Sequence, residues 1–209
     1  MKAGVGIQLR GAGKRFNRAW IFRHLAVSLL PGEQMAIIGH NGSGKSTLLG
    51  VLSAYQSLSE GEIHWMQSGE TLEREDVYRH ISLCAPYLEL PDHLTATELF
   101  DFHFGLKGSI IPIDAPALLA AAGLPFTGNK LIREYSSGMR QRLKLLLAFY
   151  SDSSLLLLDE PTANLDQQGI DWYQELRHTQ TAGRSLVIAS NMAYEYAGIA
   201  QFLSLADYK

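Results

Sequence analysis

Nine residues, "GHNGSGKST" (39–47), have the types and spacing best suited to chemistry in this sequence. Gly39, four intervening residues, Gly44, Lys45 and Ser46 reproduce the Gly-x4-Gly-Lys-Ser/Thr pattern of a phosphate cradle. Glycines 39, 42 and 44 let backbone N–H groups wrap phosphate oxygens, and a helix that follows would add its positive end. Lys45 is placed for the β- and γ-phosphates and Ser46 for magnesium, with Asn41, Ser43 and Thr47 completing the stretch. A nucleoside triphosphate is the ligand this pattern selects. In "LLLLDEPTANLD" (155–166) an apolar run ends in two carboxylates, which would set Asp159 near the metal and Glu160 near an attacking water. A third apolar run, in "VIASNM" (187–192), ends in Ser190 and Asn191.

Three buried strands must deliver these residues. "MAIIGHNGSGKSTLLGVLSAY" reads as strand, Gly-rich loop and helix, with Leu48, Leu49 and Leu52 at helical spacing. "RHISLCAPY" predicts a short strand, and "TATELFDFHFGL" an amphipathic helix carrying Leu99, Phe102 and Phe104. "SSGMRQRLKLLLAFYSD" predicts a longer helix opened by small residues, and "SLLLLDEP" a strand stopped by Pro161. "GIDWYQELRHTQTAG" is helical up to a C-cap at Gly183, and "RSLVIASN" returns as strand. Such alternation implies a largely parallel sheet. The helix-rich stretch from about 85 to 135 interrupts it and reads as an inserted lobe.

Composition narrows the class. At 209 residues and 46% hydrophobic content the chain can build one sizeable core, or one domain with a small lobe. A net charge of -3 gives no footing for nonspecific nucleic-acid binding, which needs clustered Lys and Arg. The single cysteine, Cys84, excludes an internal disulfide and a cysteine zinc cluster, and suits a reducing compartment. The N-terminal "MKAGVGIQLRGAGKRF" lacks a signal-peptide core, and no apolar run reaches transmembrane length. The expectation is a cytoplasmic chain that does not itself cross a membrane.

With its motifs in this order, the sequence resembles the ATP-binding cassette ATPase subunits of membrane transporters, over essentially its whole length. "YSSGMRQR" (135–142) is similar to the family signature, whose serine and glycine contact a γ-phosphate across a dimer; Ser136 and Gly138 match. "TANLD" resembles the dimer-contact loop, with Asp166 its acidic residue, and Phe16 falls where the family stacks an aromatic on adenine, with Trp20 and Phe22 as alternatives. The resemblance implies an α/β phosphate-loop NTPase core with a mostly parallel sheet and an N-terminal antiparallel β region. It also implies a helical subdomain of about 85–150, inserted within a single nucleotide-binding domain of residues 1–209. It further implies ATP and Mg2+ as ligands, pairing as a homodimer or heterodimer of cassettes, and a separate transmembrane permease holding the chain at the inner face of the membrane.

Two positions depart from the family. Ala85 or Pro86 stands where a metal-reaching glutamine is usual, and Asn191 stands where the family places a histidine. Asn191 keeps a hydrogen-bonding amide but cannot carry charge as imidazole does, so it either reaches the γ-phosphate or caps a helix near "MAYEYAG", or does both. An ATP-gated regulatory cassette with weak hydrolysis is therefore the alternative to an ATPase that drives transport. Cassettes of DNA repair or translation carry long insertions or paired domains, for which this chain has no length. Ending soon after its last core strand, at "ADYK", the sequence has no room for the accessory C-terminal domain of some sugar importers. In compactness it looks most like small exporter-type cassettes, including those of cytochrome c biogenesis.

Overall fold

The computed structural model describes residues 3–126 and 129–209, which divide into two compact units. Of these residues, the first unit comprises those of 3–83, 153–160 and 182–209, and the second those of 84–126, 129–152 and 161–181.

The first unit holds two sheets. Strands β1 (Gly6–Phe16), β2 (Ala19–Leu29), β4 (Glu60–Gln67) and β5 (Glu70–Leu72) form an antiparallel sheet in the order β2-β1-β4-β5. β3 (Gln34–Ile38), β6 (Ile81–Cys84), β7 (Leu155–Asp159), β8 (Ser185–Ala189) and β9 (Gln201–Ser204) form the other, ordered β6-β7-β8-β3-β9. The pairs β7–β8, β8–β3 and β3–β9 are parallel. Leu155–Asp159 and Ser185–Ala189 are buried at every residue, which explains why these strands read as continuous apolar runs rather than alternating ones. Helix α1 (Lys45–Leu52) packs its Leu48, Leu49, Val51 and Leu52 into this core, and the indole N–H of buried Trp65 donates to the Leu52 carbonyl at 2.8 Å. Each such side chain taken out of water stabilises the fold by roughly 1.5–3 kcal/mol.

The second unit is helical: α2 (Ala96–Lys107), α3 (Ala115–Ala121), α4 (Ser137–Tyr150) and α5 (Gln167–Gln180). Thr95 and Glu98 close a reciprocal capping box on α2, and Asp114 caps α3. α2 buries Ala96, Leu99, Phe100 and Phe104, a single stripe at spacings of three and four. Phe102, expected on that stripe, is exposed instead, because two residues from Phe100 the helix has turned by more than half a revolution. α5 starts at Gln167 under an Asp166 cap, two residues earlier than expected, and stops at Gln180, short of Gly183. The helix expected near "MAYEYAG" is only a 3-10 turn over Ala193–Tyr196.

Candidate nucleotide site

Register brings the motif residues of the first unit to one edge. Asp159, Ala189 and Ile37 pair in a row across β7, β8 and β3, so the loops opening at Glu160, Ser190 and Gly39 leave the same carboxyl ends of a parallel sheet, where such sheets bind ligands. Two further bonds hold that edge: the Glu160 N–H donates to the Ala189 carbonyl at 2.9 Å, and the Ser190 N–H to the Ile37 carbonyl at 3.1 Å.

The Gly-rich loop needs its glycines. Gly44, the N-cap of α1, has φ +106°, and a Cβ there would collide with the Ile21 side chain on β2. The phosphate loop thus packs directly on the β1–β2 hairpin. Lys45 is buried and its Nζ donates to the carbonyls of Gly39 (2.8 Å) and His40 (3.2 Å), folding the ammonium back across the loop. Ser43 is also buried, and its hydroxyl has no hydrogen-bond partner among the described residues. Asn41 and Ser46 are exposed, Thr47 half-buried.

Asp159 is 2% exposed, and its Oδ2 has no hydrogen-bond partner among the described residues. Burial pushes this carboxyl above its ordinary range, a hydrogen bond with Ser46 opposes the rise, and the neighbouring charge of Glu160 adds to it. An orphaned, desolvated carboxylate oxygen beside a serine hydroxyl is a hard-oxygen donor pair suited to magnesium, an ion that takes one or two protein ligands and completes its shell with phosphate and water. Among the described residues no cluster of three acidic, histidine or cysteine side chains forms a metal cage. Glu160 is half-buried and its backbone is left-handed, φ +42°, a conformation costing about 1–2 kcal/mol in a non-glycine residue. Buried Glu195, which no sequence motif announced, lies close enough for its charge to raise Asp159 further.

Asn191 is exposed, and its amide Nδ2 donates to Asn41 Oδ1 at 3.4 Å, linking the end of β8 to the phosphate loop. It does not cap the turn that follows. No side chain caps that turn; Ser190 Oγ instead accepts from the Met192 N–H at 2.8 Å, a local turn just before it. Phe16 closes β1 with its ring 48% exposed and the Lys14 ammonium 5.1 Å from the ring centroid. Phe22 is fully buried and so offers no stacking face, whereas the Trp20 ring has the guanidiniums of Arg15 and Arg23 at 5.5 and 4.5 Å from its centroid.

Ser136 and Gly138 belong to the second unit. Ser136 is exposed and caps α4, accepting from the Met139 N–H at 3.2 Å. A Cβ on Gly138 would stand 2.7 Å from the Asn164 carbonyl oxygen, so glycine is required here by close approach of the backbone rather than by its torsion. Asp166 caps α5 through the Gly169 N–H (2.9 Å) and accepts from buried Arg142 (2.8 Å). The Gly169 bond, then Arg142, hold its carboxyl below the usual range. Gln141 and Lys144 on α4, neither singled out from the sequence, donate to Pro161 and to Ala85 and Pro86. Only the absence of the expected glutamine at 85–86 pointed toward that region.

A family model described as ABC transporter matches residues 22–163, from within β2 to two residues past the "DEP" (159–161) that begins at the end of β7. The chain belongs to the ABC transporter family. The cassette is 30% identical over 188 residues to cytochrome c biogenesis ATP-binding export protein CcmA 2 of Cupriavidus metallidurans, covering 88% of this chain and 89% of that one. It is 31% identical over 170 residues to ABC transporter ced-7 of Caenorhabditis elegans, covering 80% of this chain but 10% of that protein. The cassette spans less than two thirds of the length of several such relatives. Its fold matches that of the ATP-binding cassette MJ0796, solved as a dimer in a post-hydrolysis state with ADP and Pi, with a TM-score of 0.80 at 20% identity over 95% of this chain and 93% of that one. No described helix is long and apolar enough to cross a membrane.

Proposed function

We propose that this cassette is an ATPase that pairs around ATP, as a homodimer or heterodimer, and drives a separate membrane-spanning permease from the inner face of the membrane. The observation that carries the reading is the common sheet edge: Lys45 and Ser46, Asp159 and Glu160, and Asn191 all leave the carboxyl ends of adjacent strands. The loop amides and Lys45 bind the β- and γ-phosphates, with Gly39, Gly42, Ser43, Gly44 and Thr47 shaping the cradle, and Phe16 offers its exposed ring to adenine. Ser46 and Asp159 hold Mg2+, which when bound neutralises phosphate charge and orients the γ-phosphate. Glu160 orients and polarises the attacking water, and Asn191 donates to the γ-phosphate or that water. The exposed Ser136 and the adjacent Gly138 of a second cassette complete the γ-phosphate shell, with the helical subdomain of about 85–150 carrying them. Export is supported by the likeness to CcmA 2, which aligns over nearly all of both chains.

Light scattering on Glu160→Gln tests this directly. Saturating Mg-ATP should convert the monomer to a dimer, and adding Lys45→Ala should abolish both the dimer and ATP binding measured by calorimetry. A Glu160→Gln chain that binds ATP yet stays monomeric with its permease present would overturn the pairing, whereas a parent chain that pairs but whose turnover is no higher than that of Glu160→Gln would favour the regulatory alternative.

A further inference from the structure

The chain leaving β6 has no side chain that can tie it to the rest of the second unit at its first two positions: Ala85 offers a methyl, and Pro86 lacks even a backbone N–H. Their carbonyls are the polar handles, and both are taken. Lys144 Nζ donates to the Ala85 carbonyl at 3.3 Å and to the Pro86 carbonyl at 3.0 Å. One turn back on the same face of α4, the Gln141 amide donates to the Pro161 carbonyl at 2.8 Å and lies 3.7 Å from Cys84 Sγ. Residues 141 and 144 therefore grip the first residues of both connections, the one after β6 and the one after β7.

The far end of the 86–92 stretch is held from the same helix by a relay. The Arg133 N–H donates to the Asp92 carbonyl at 3.0 Å and the Ile132 N–H to the Leu94 carbonyl at 2.9 Å. Arg140 in turn donates to the carbonyls of Ile132 (3.2 Å) and Arg133 (2.8 Å). Between these attachments Leu88, Leu90 and Pro91 stand off from α4 across a hollow of about 550 Å³. The stretch is thus a strap anchored at both ends to the helix that begins with Ser136. Burial pulls the Lys144 ammonium below its ordinary range while Cys84 and Glu89 oppose that shift, a cost that a lysine free to extend into water would avoid.

We propose that Lys144 is a positioning residue: it fastens the 85–92 strap to α4, so that the placement of the strap and of Ser136 and Gly138 change together. In this chain Lys144 couples the connection after β6 from the helix side, through the backbone carbonyls of Ala85 and Pro86. The inference rests on the reading that Ser136 and Gly138 engage the γ-phosphate of a paired cassette. Its consequence is selective: losing Lys144 weakens pairing while nucleotide binding at the phosphate loop stays intact.

The test uses the Glu160→Gln chain with Lys144→Met or Lys144→Arg, measuring the dimer dissociation constant in saturating Mg-ATP by sedimentation, ATP affinity by calorimetry, and amide exchange of the 85–92 peptide. Lys144→Met should weaken the dimer by about tenfold or more, quicken exchange in the strap, and leave ATP affinity within about twofold. Lys144→Arg, which keeps a charged donor, should restore both dimer and protection. If Lys144→Met does not fold, Lys144→Gln, with a shorter neutral donor, should fall between parent and full loss. Unchanged pairing in Lys144→Met, or loss that arginine cannot rescue in a folded chain, overturns the role of Lys144 alone. A parent chain that never pairs overturns the pairing on which it rests.

Discussion

At the level of single residues, the site mixes groups that are held with groups that are left wanting. Lys45 is satisfied by loop carbonyls, while the Ser43 hydroxyl and one oxygen of Asp159 are buried without hydrogen-bond partners among the described residues. Such orphans cost stability in the folded chain and are repaid when a ligand arrives. Asn191 belongs to a third kind, exposed and held by one long bond to Asn41. Because it caps nothing, Asn191→Ala should lower kcat by about 10- to 100-fold, less than the roughly 10²–10³ of losing a strong oxyanion donor, while ATP affinity and melting temperature stay nearly unchanged. Steady-state rates and a melting curve on this variant check it, and a destabilised but fully active enzyme would exclude the role.

Among the elements, capping side chains do two jobs. Thr95 and Glu98 close a reciprocal box at the start of α2, with the Thr95 N–H donating to Glu98 Oε2 at 2.8 Å. Thr95 lies outside the phosphate-binding residues, so Thr95→Ala should cost about 1 kcal/mol in chemical denaturation and leave ATP affinity alone. Ser136 makes the same kind of cap on α4 but is also a proposed γ-phosphate contact. Ser136→Ala should therefore cost a similar amount of stability, about 1 kcal/mol, and in addition weaken ATP-driven pairing of the Glu160→Gln chain. A variant that loses stability but pairs normally would leave Ser136 only its cap.

For the molecule as a whole, stability depends on pH through His103, which joins α2 to the end of α4. Its Nε2–H donates to Ser151 Oγ at 2.8 Å, and that hydroxyl donates to the Leu147 carbonyl at 2.6 Å. Burial, and then the charge of Lys107, hold the imidazole below its ordinary pKa. The folded chain consequently binds this proton less readily than the unfolded chain. The stability that neutral His103 supports is present above the unfolded value near 6.5 and is lost as pH falls through and below it. His103→Gln should flatten the decline in melting temperature between about pH 7 and pH 5 relative to the parent. An unchanged slope would show that other groups carry the acid sensitivity.

Local patterns determined a good deal by themselves. The phosphate loop, the two apolar runs ending in Asp159–Glu160 and Ser190–Asn191, and the alternation that makes a parallel sheet were all legible, because strand burial and loop chemistry are written in consecutive residues. What the tertiary structure decided lies between residues distant in sequence. Phe22 lies in the core while Phe16, the last residue of β1, keeps its ring 48% exposed, a difference set by where each falls in an irregular hairpin and not by residue type. Phe102 faces out because helix phase is set by what packs beneath it, and Gly138 must be glycine because the Asn164 carbonyl approaches it. Whether Asn191 caps a turn or reaches the phosphate loop depended on Asn41, 150 positions away. Lys144 looked like an ordinary helix cation, and its role emerged only where folding set its ammonium against two carbonyls some sixty residues back, a contact that no local spacing encodes.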